Sequence, residues 1–204
     1  LMRTTLAASM LNAISRNEKQ GTLEGRLFEV ASIYIPESLP LTSYPDERKV
    51  LCVGTFGNNE SFFTMKGIAN TIAESMDIEF TYEPGQKSFL HPYQAVKVLC
   101  EGTEIGYFGK AAYDIQNELS MRTSAYIMEL DLKELSRWYG KKRTFQPISK
   151  FQEEKRDLAF VMDKNISCGD VENCIREANK YVKEIRLFDV YEGGQIPEGK
   201  KSMA

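Results

Sequence analysis

The 204-residue sequence has one histidine, four scattered cysteines and no apolar run near the roughly 20 residues of a membrane helix. No two cysteines form a Cys-x-x-Cys pair, so a zinc site built from clustered Cys and His ligands is not expected. The N-terminal residues lack the apolar core and cleavage site of a signal peptide. We therefore expect a cytoplasmic protein with reduced thiols, no metal site and no membrane span.

A strong excess of one charge is also lacking, since the net charge is −3. The charge is nevertheless uneven along the chain. Residues 140–204 hold 13 Lys and Arg against 11 Asp and Glu, a net of +2, which leaves 13 against 18 upstream, a net of −5. This asymmetry predicts that any polyanionic partner meets the C-terminal part of the chain.

Residues 1–139 show many short apolar runs joined by turns, which favours an antiparallel sheet with helices packed on it, an α+β fold. Doubly wound folds need long crossover helices between strands, and these are missing. The predicted loop over 37–47 carries prolines and small polar residues, and Glu101-Gly102-Thr103 predicts a hairpin turn. The expected helices cover 6–17, 62–76 and 111–119, and the expected strands cover 26–35, 50–56, 78–82, 95–100, 104–108 and 125–130.

After a basic segment over 138–147, which predicts a solvated linker, the rhythm changes. We expect a strand over 157–162, a helix over 167–179 capped by Ser167 and Asp170, a strand over 183–191 and a new strand from Lys201. This β-α-β-β order is the first two-thirds of a ferredoxin-like unit. The predicted domains are thus 1–139, a linker over 140–149, and a ferredoxin-like domain over 150–204 that is incomplete at its C-terminus.

Two sequence blocks carry a family resemblance. The run from Ile148 to Phe151 with 155–161, and Leu187 to Tyr191 with the later Pro, Gly and Lys residues up to Ser202, resemble the ferredoxin-fold anticodon-binding domain of bacterial phenylalanine–tRNA ligase beta subunits. Gln152 departs from the family pattern, which usually has proline there. Upstream, the segments 2–4 and 26–29, His91-Pro92, and Ile105-Gly106 with Gly109 are similar to the class II synthetase-like domain of the same subunits.

The resemblance implies an enzyme of two alpha and two beta subunits that attaches phenylalanine to tRNA(Phe). In this family the alpha subunit binds ATP, Mg²⁺ and phenylalanine and performs the chemistry. The beta domain is a degenerate copy of the catalytic fold whose first helix and strand contribute to the subunit interface. The expected function of this chain is therefore assembly and tRNA binding, without a cofactor of its own.

The residues agree with an inert copy. A class II site needs an Arg-x-Glu on one strand and a Gly-rich strand ending in Arg, because phosphate chemistry depends on placed cations. Arg26 and Glu29 are three apart, which on a strand directs them to opposite faces. The glycines at 102, 106 and 109 run into Lys110, and no Gly-Lys-Ser/Thr phosphate loop is present. We expect no catalytic residue.

Ferredoxin-like RNA binders use phosphate contacts and base stacking. Our candidate tRNA-binding residues are Lys150, Lys155, Arg156, Arg186, Phe188, Lys200 and Lys201, each of which is otherwise an ordinary solvated side chain. Trp138 and Tyr139 could also stack on bases, although anchoring the linker is the commoner use. His91, a conceivable general base, is expected in a loop without a catalytic role.

Three alternatives remain open. The chain could be a freestanding tRNA- or RNA-binding or regulatory module, which should carry a stronger basic surface. It could be an independent enzyme of class II-like fold, which would need ATP-site residues. It could also be a purely structural support for the alpha subunit.

Overall fold

The computed structural model describes residues 2–140, 150, 152–194 and 196–204. The chain divides into two compact units, residues 1–144 and 145–204. The predicted linker over 140–149 lies almost wholly outside the described residues, so the proposed domain limits stay predictions. In the described part of the chain, no helix is long and apolar enough to cross a membrane.

The first unit is built on a six-stranded antiparallel sheet in the order β1-β2-β6-β5-β4-β3. Its elements are α1 (Ala7–Lys19), β1 (Gly25–Ile35), β2 (Asp46–Phe56), α2 (Phe62–Ser75), β3 (Phe80–Pro84), β4 (Leu90–Cys100), β5 (Thr103–Ala111), α3 (Tyr113–Glu118), β6 (Ala125–Asp131) and α4 (Leu132–Ser136). Glu101 and Gly102 both have positive φ, as the two-residue turn between β4 and β5 requires.

Each face of this sheet carries its own apolar core, as the central strand β6 shows. Tyr126, Met128 and Leu130 pack with α2 and α4, whereas Ala125 and Ile127 pack with α1 and α3. Because successive side chains of a strand point to opposite faces, β6 contributes to both cores and is buried almost throughout. The first unit is therefore a sheet between two layers of helices.

Most predicted elements are present, and the differences have local causes. Strand β2 begins at Asp46, within the predicted loop over 37–47, because β1 pairs with it along eleven residues even where β2 is polar and exposed. His91 lies in strand β4 and not in a loop, so that expectation was wrong. Helix α4 is too short to show a periodic pattern and was not predicted.

The second unit contains β7 (Phe160–Asp163), α5 (Cys168–Ala178), β8 (Val190–Tyr191) and β9 (Lys200–Met203). The three strands form an antiparallel sheet in the order β7-β9-β8. The predicted β-α-β-β sequence of elements is confirmed, but the first and second strands are shorter than predicted. Ser167 and Asp170 form the expected capping box, with Asp170 N donating to Ser167 Oγ at 3.1 Å and Ser167 N to Asp170 Oδ2 at 3.0 Å.

Candidate functional site

The pairing of the second sheet sorts its residues onto two faces. Phe160, Met162, Val190, Lys201 and Met203 share one face, which we call the methionine face because Met162 and Met203 are buried there. Val161, Asp163, Tyr191, Lys200 and Ser202 share the other, which we call the Tyr191 face. The core of the unit thus lies on the methionine face, and the Tyr191 face presents partly exposed side chains.

On the Tyr191 face a row of side chains crosses all three strands. Ser202 of β9 pairs with Tyr191 on one side and with Val161 on the other. Tyr191 is 45% exposed, and Val161 is also exposed. Directly opposed residues of neighbouring strands lie about 5 Å apart. The row is therefore a continuous, partly apolar platform with a hydroxyl at its centre.

Charged pairs border this row. Lys200 Nζ lies 3.1 Å from Asp163 Oδ1, and both side chains are largely exposed. Lys164 Nζ lies 2.8 Å from Glu192 Oε2, and this hydrogen bond lowers the pKa of Glu192. Exposed pairs of this kind are worth about 0–1 kcal/mol, so either lysine can exchange its carboxylate for another anion at little cost.

The structure brings together only some of the predicted tRNA-binding residues. Lys200 lies on the Tyr191 face, and Lys201, its neighbour in β9, lies on the methionine face. Phe188 is exposed just before β8, where its N–H donates to the Ala204 carbonyl at 2.9 Å. The remaining candidates are exposed outside the strands: Lys150, Lys155, Arg156, which pairs with Glu154 at 2.5 Å, and Arg186.

Sequence reasoning missed Tyr191, Val161 and Ser202 as a group. Phe188 is the aromatic platform that the sequence suggested, and Tyr191 lies three residues later. Successive side chains of a strand point to opposite faces, so Phe188 and Tyr191, three residues apart, would already be expected on different faces of the sheet. Which of the two faces is open follows only from the burial of Met162 and Met203.

A second surface feature lies on the edge strand β1 of the first unit. Phe28 is 77% exposed and Val30 is 48% exposed, and both lie on the same face of the sheet. Their partners in β2 are Val53 and Leu51, which extend the apolar surface inward. Exposed apolar residues on an edge strand usually mark a place where another chain packs. We call these four residues the β1 patch.

Helix α1 is held on the other face of the same sheet by a buried carboxylate. Glu129 of β6 accepts hydrogen bonds from Leu6 N at 2.5 Å, Ala7 N at 2.9 Å and Thr5 Oγ1 at 2.8 Å, and from the Tyr107 hydroxyl. Burial, followed by the nearby Glu129 charge, raises the pKa of Tyr107, so its phenol stays protonated and donates. Glu129 thus caps the start of α1, where the Thr5 hydroxyl also accepts from Ala7 N at 3.0 Å.

The residues that the sequence analysis compared with a class II active site make other interactions in this unit. Arg26 Nε donates to Glu60 at 2.8 Å, and Arg3 pairs with Glu29 at 2.9 Å. At Gly109, a Cβ atom would lie 2.9 Å from the Ala95 Cα, so this glycine permits close strand packing. The same residue types thus serve pairing and packing here. Trp138 packs against the core of α2 and α4, in keeping with the anchoring role.

Comparison with protein families accounts for both units. Residues 1–132 match the model of the phenylalanyl tRNA synthetase beta chain CLM domain, and residues 149–204 match the ferredoxin-fold anticodon binding domain. The chain belongs to the phenylalanyl-tRNA synthetase beta chain family. The family resemblance inferred from the sequence is therefore confirmed.

Relatives of the same family align with the whole chain. The phenylalanine–tRNA ligase beta subunit of Clostridium tetani is 35% identical over 208 residues, and that of Clostridium acetobutylicum is 30% identical over 208 residues. Both alignments cover 100% of this chain and 26% of the relative. The chain thus spans about a quarter of the length of these beta subunits.

Solved structures of a tRNA synthetase have a similar fold. The pyrrolysyl tRNA synthetase of Desulfitobacterium hafniense superposes with a TM-score of 0.52 and 17% identity, covering 65% of this chain and 48% of that one. At this identity the likeness concerns the fold alone. Together with the ferredoxin-fold match, it confirms the predicted α+β architecture of a class II-like sheet followed by an anticodon-binding domain.

Proposed function

We propose that this chain is the non-catalytic part of a phenylalanine–tRNA ligase beta subunit that binds the anticodon region of tRNA(Phe) and supports assembly with an alpha subunit. The observation that carries the RNA-binding role is the Tyr191 face, where a row of Tyr191, Ser202 and Val161 borders Lys200. The family membership of both units supports the same conclusion.

The chemistry of this face suits an unpaired RNA base. Single-stranded bases stack on exposed aromatic rings, and hydroxyl groups bind base edges or the ribose. Tyr191 offers the ring, Ser202 offers a donor and acceptor at the adjacent position, and Lys200 offers a cation for a backbone phosphate. The net charge of +2 over 140–204 adds a weak attraction for the polyanion.

The test is the affinity of the full chain for an anticodon stem-loop RNA of tRNA(Phe). We expect Tyr191→Ala to weaken binding by about 5- to 100-fold, because base–aromatic stacking is worth about 1–3 kcal/mol. Tyr181→Ala is the matched control, since Tyr181 is 79% exposed and lies outside the three strands. Equal effects of the two substitutions would remove the Tyr191 face as the binding site.

The two adjacent lysines distinguish the faces. If RNA meets the Tyr191 face, Lys200→Ala should lower the slope of log affinity against log salt by about one. Lys201→Ala should then leave the slope nearly unchanged, because Lys201 lies on the methionine face. The reverse order would contradict the Tyr191 face as the RNA-binding surface. If neither variant changes the slope, both lysine assignments are wrong.

For assembly, we propose an alpha2beta2 enzyme in which α1 and β1 of this chain contact the alpha subunit. The β1 patch supports this, because Phe28 and Val30 are exposed apolar side chains on an edge strand. Glu129 supports it as well, since it fixes the start of α1 on the sheet.

Co-expression with the alpha subunit tests the assembly role. We expect Phe28→Asp to reduce the recovered complex at least tenfold, because a buried unpaired charge at an interface costs several kcal/mol. Leu39→Asp is the control, since Leu39 is equally exposed but lies in the loop between β1 and β2. Full recovery of the Phe28→Asp complex would exclude the β1 patch, and recovery of RNA without an alpha subunit would favour the freestanding module.

We propose that the parent enzyme attaches phenylalanine to tRNA(Phe) in the cytoplasm with ATP and Mg²⁺ bound in the alpha subunit. Within this chain we assign 1–139 to an inert synthetase-like domain, 140–149 to a linker and 150–204 to the anticodon-binding domain. The spacing of Arg26 and Glu29 in β1 supports inertness, because residues three apart on a strand point to opposite faces. Calorimetry should detect no ATP–Mg²⁺ binding to the isolated chain, and micromolar binding would contradict this.

A further inference from the structure

We infer that Gly193 is a positioning residue that places the Tyr191 ring for RNA binding. This inference rests on the proposed role of the Tyr191 face. A Cβ atom added at Gly193 would lie 2.5 Å from Tyr191 Cζ and 3.0 Å from Cε1, and closer still to the phenolic oxygen. The Gly193 backbone is therefore packed against the phenol end of the ring, and no larger residue fits while the ring stays there.

The backbone at Gly193 is held by a hydrogen bond, and an exposed ion pair lies beside it. The Gly193 carbonyl accepts a hydrogen bond from Ile196 N at 2.9 Å. The preceding residue, Glu192, pairs with Lys164 at 2.8 Å. Because the turn is held, a side chain at position 193 would displace the end of the Tyr191 side chain rather than the backbone.

The glycine is not required by the backbone conformation. Five glycines of the described chain have φ in the left-handed region, and Gly193 is not among them. Alanine at 193 therefore brings no left-handed strain, and its effect is confined to the contact with Tyr191. Gly194 has no atom within 4 Å of an added Cβ, which makes it a matched control one residue away.

The contact between Gly193 and the partly exposed Tyr191 ring has a consequence for RNA affinity. Tyr191 is 45% exposed, so solvent reaches much of the ring while Gly193 limits its position. A ring already held where a base stacks loses less freedom on binding, which raises affinity. Gly193 thus acts through Tyr191 and need not touch the RNA itself.

The experiment is a double-mutant cycle on the full chain, with an anticodon stem-loop RNA as the probe. We expect Gly193→Ala to weaken binding about 5- to 100-fold, up to the loss caused by Tyr191→Ala, and Gly194→Ala to change it less than about twofold. In the Tyr191→Ala background, Gly193→Ala should have no further effect. Equal losses for the two glycine variants, or an undiminished effect of Gly193→Ala without the ring, would overturn the inference.

A second readout separates this inference from the proposed function. In chain labelled with 3-fluorotyrosine, the Tyr191 ¹⁹F resonance, assigned by its loss in Tyr191→Phe, should shift in Gly193→Ala and stay in place in Gly194→Ala. The other tyrosine resonances should not move, which shows that the fold is intact. If Tyr191→Ala leaves RNA binding unchanged while this shift is seen, the stacking proposal fails and the positioning contact stands. If no shift is seen, the positioning inference fails.

Discussion

The two units of the chain use an antiparallel sheet in opposite ways. The first unit covers its sheet on both faces, so that β6 is buried along almost its whole length. The second unit buries only Met162 and Met203 among its described hydrophobic side chains, and none of the eleven residues of α5 is buried. A sheet covered twice is a stable scaffold, whereas a sheet with one open face keeps backbone and side chains available for a ligand.

The two units also differ in net charge. The residues upstream of 140 carry a net of −5, whereas those from 140 onward carry +2. Two carboxylates of the first unit, Glu129 and Glu18, are buried and accept hydrogen bonds that hold the fold. Glu18, for example, accepts from Thr123 N at 3.0 Å. The charged pairs of the second unit lie at its surface. The buried carboxylates of the described chain thus lie in the first unit.

The largest expected effect tests whether the first unit is the stable one. Phe108 is fully buried against Phe62 and Tyr82, with ring centroids at 5.0 and 5.5 Å. Phe108→Ala should lower the free energy of unfolding by about 3–5 kcal/mol through lost burial and a cavity. Urea unfolding followed by the fluorescence of Trp138, the single tryptophan, measures this unit directly.

The matched substitution in the second unit is Phe160→Ala, at a ring that is 39% exposed. It should shift the Trp138 transition by less than about 0.5 kcal/mol, because Phe160 and Trp138 belong to different compact units. A shift as large as that of Phe108→Ala would show that the two units unfold together, and the comparison would fail.

A smaller effect is expected from the carboxylate that holds α1. Glu129→Gln should lower the free energy of unfolding by about 2–4 kcal/mol, because an amide nitrogen would face groups that donate. Denaturant titration with the same Trp138 signal checks this value. Glu104→Gln, which removes only the exposed pair with Lys97 at 3.4 Å, should cost less than about 1 kcal/mol. Equal losses would mean that Glu129 contributes no more than a surface charge.

The smallest effect concerns the capping box of α5. Hydrogen bonds from the Ser167 side chain and backbone lower the pKa of Asp170 below its ordinary value. A carboxyl with a lowered folded pKa stabilises the helix above the unfolded pKa of about 3.9, and this contribution is lost as the pH falls further. Amide exchange of α5 between pH 6 and pH 3, in about one-unit steps, should show faster opening at the acidic end.

Two variants control this pH dependence. Asp170→Asn should remove the dependence while leaving the helix in place, because the amide does not titrate. Ser167→Ala should cost α5 about 1 kcal/mol at neutral pH through loss of its cap. An unchanged pH profile in Asp170→Asn would assign the acid opening to another group.

Local features of the fold could be predicted from the sequence. The cap at Ser167 and Asp170 involves residues three apart, and the turn at Glu101-Gly102 needs two residues with positive φ. Alternating or helical apolar patterns placed most elements of the first unit within a few residues. The polar start of β2 was missed because its pairing with β1, and not its own pattern, extends it from Asp46.

The candidate site was predicted only in part. The basic residues and the strand order suggested RNA binding in the second unit, and Lys200 lies on the Tyr191 face, which we propose as the binding surface. Lys201 lies on the other face, and Tyr191 was passed over for Phe188. The choice between them depends on which face of the sheet buries Met162 and Met203, and that burial involves residues about 40 positions apart.

The sequence by itself determined the family, the α+β class, the order of elements and the capping box, because each depends on neighbouring residues or on a motif. The tertiary structure decided which side chains share a face, that Glu129 caps a helix more than 120 residues away, and that Gly193 lies against the Tyr191 ring. These features depend on strand register and on side-chain packing. Register moves every side chain between faces with a shift of one residue, so only the folded sheet fixes them.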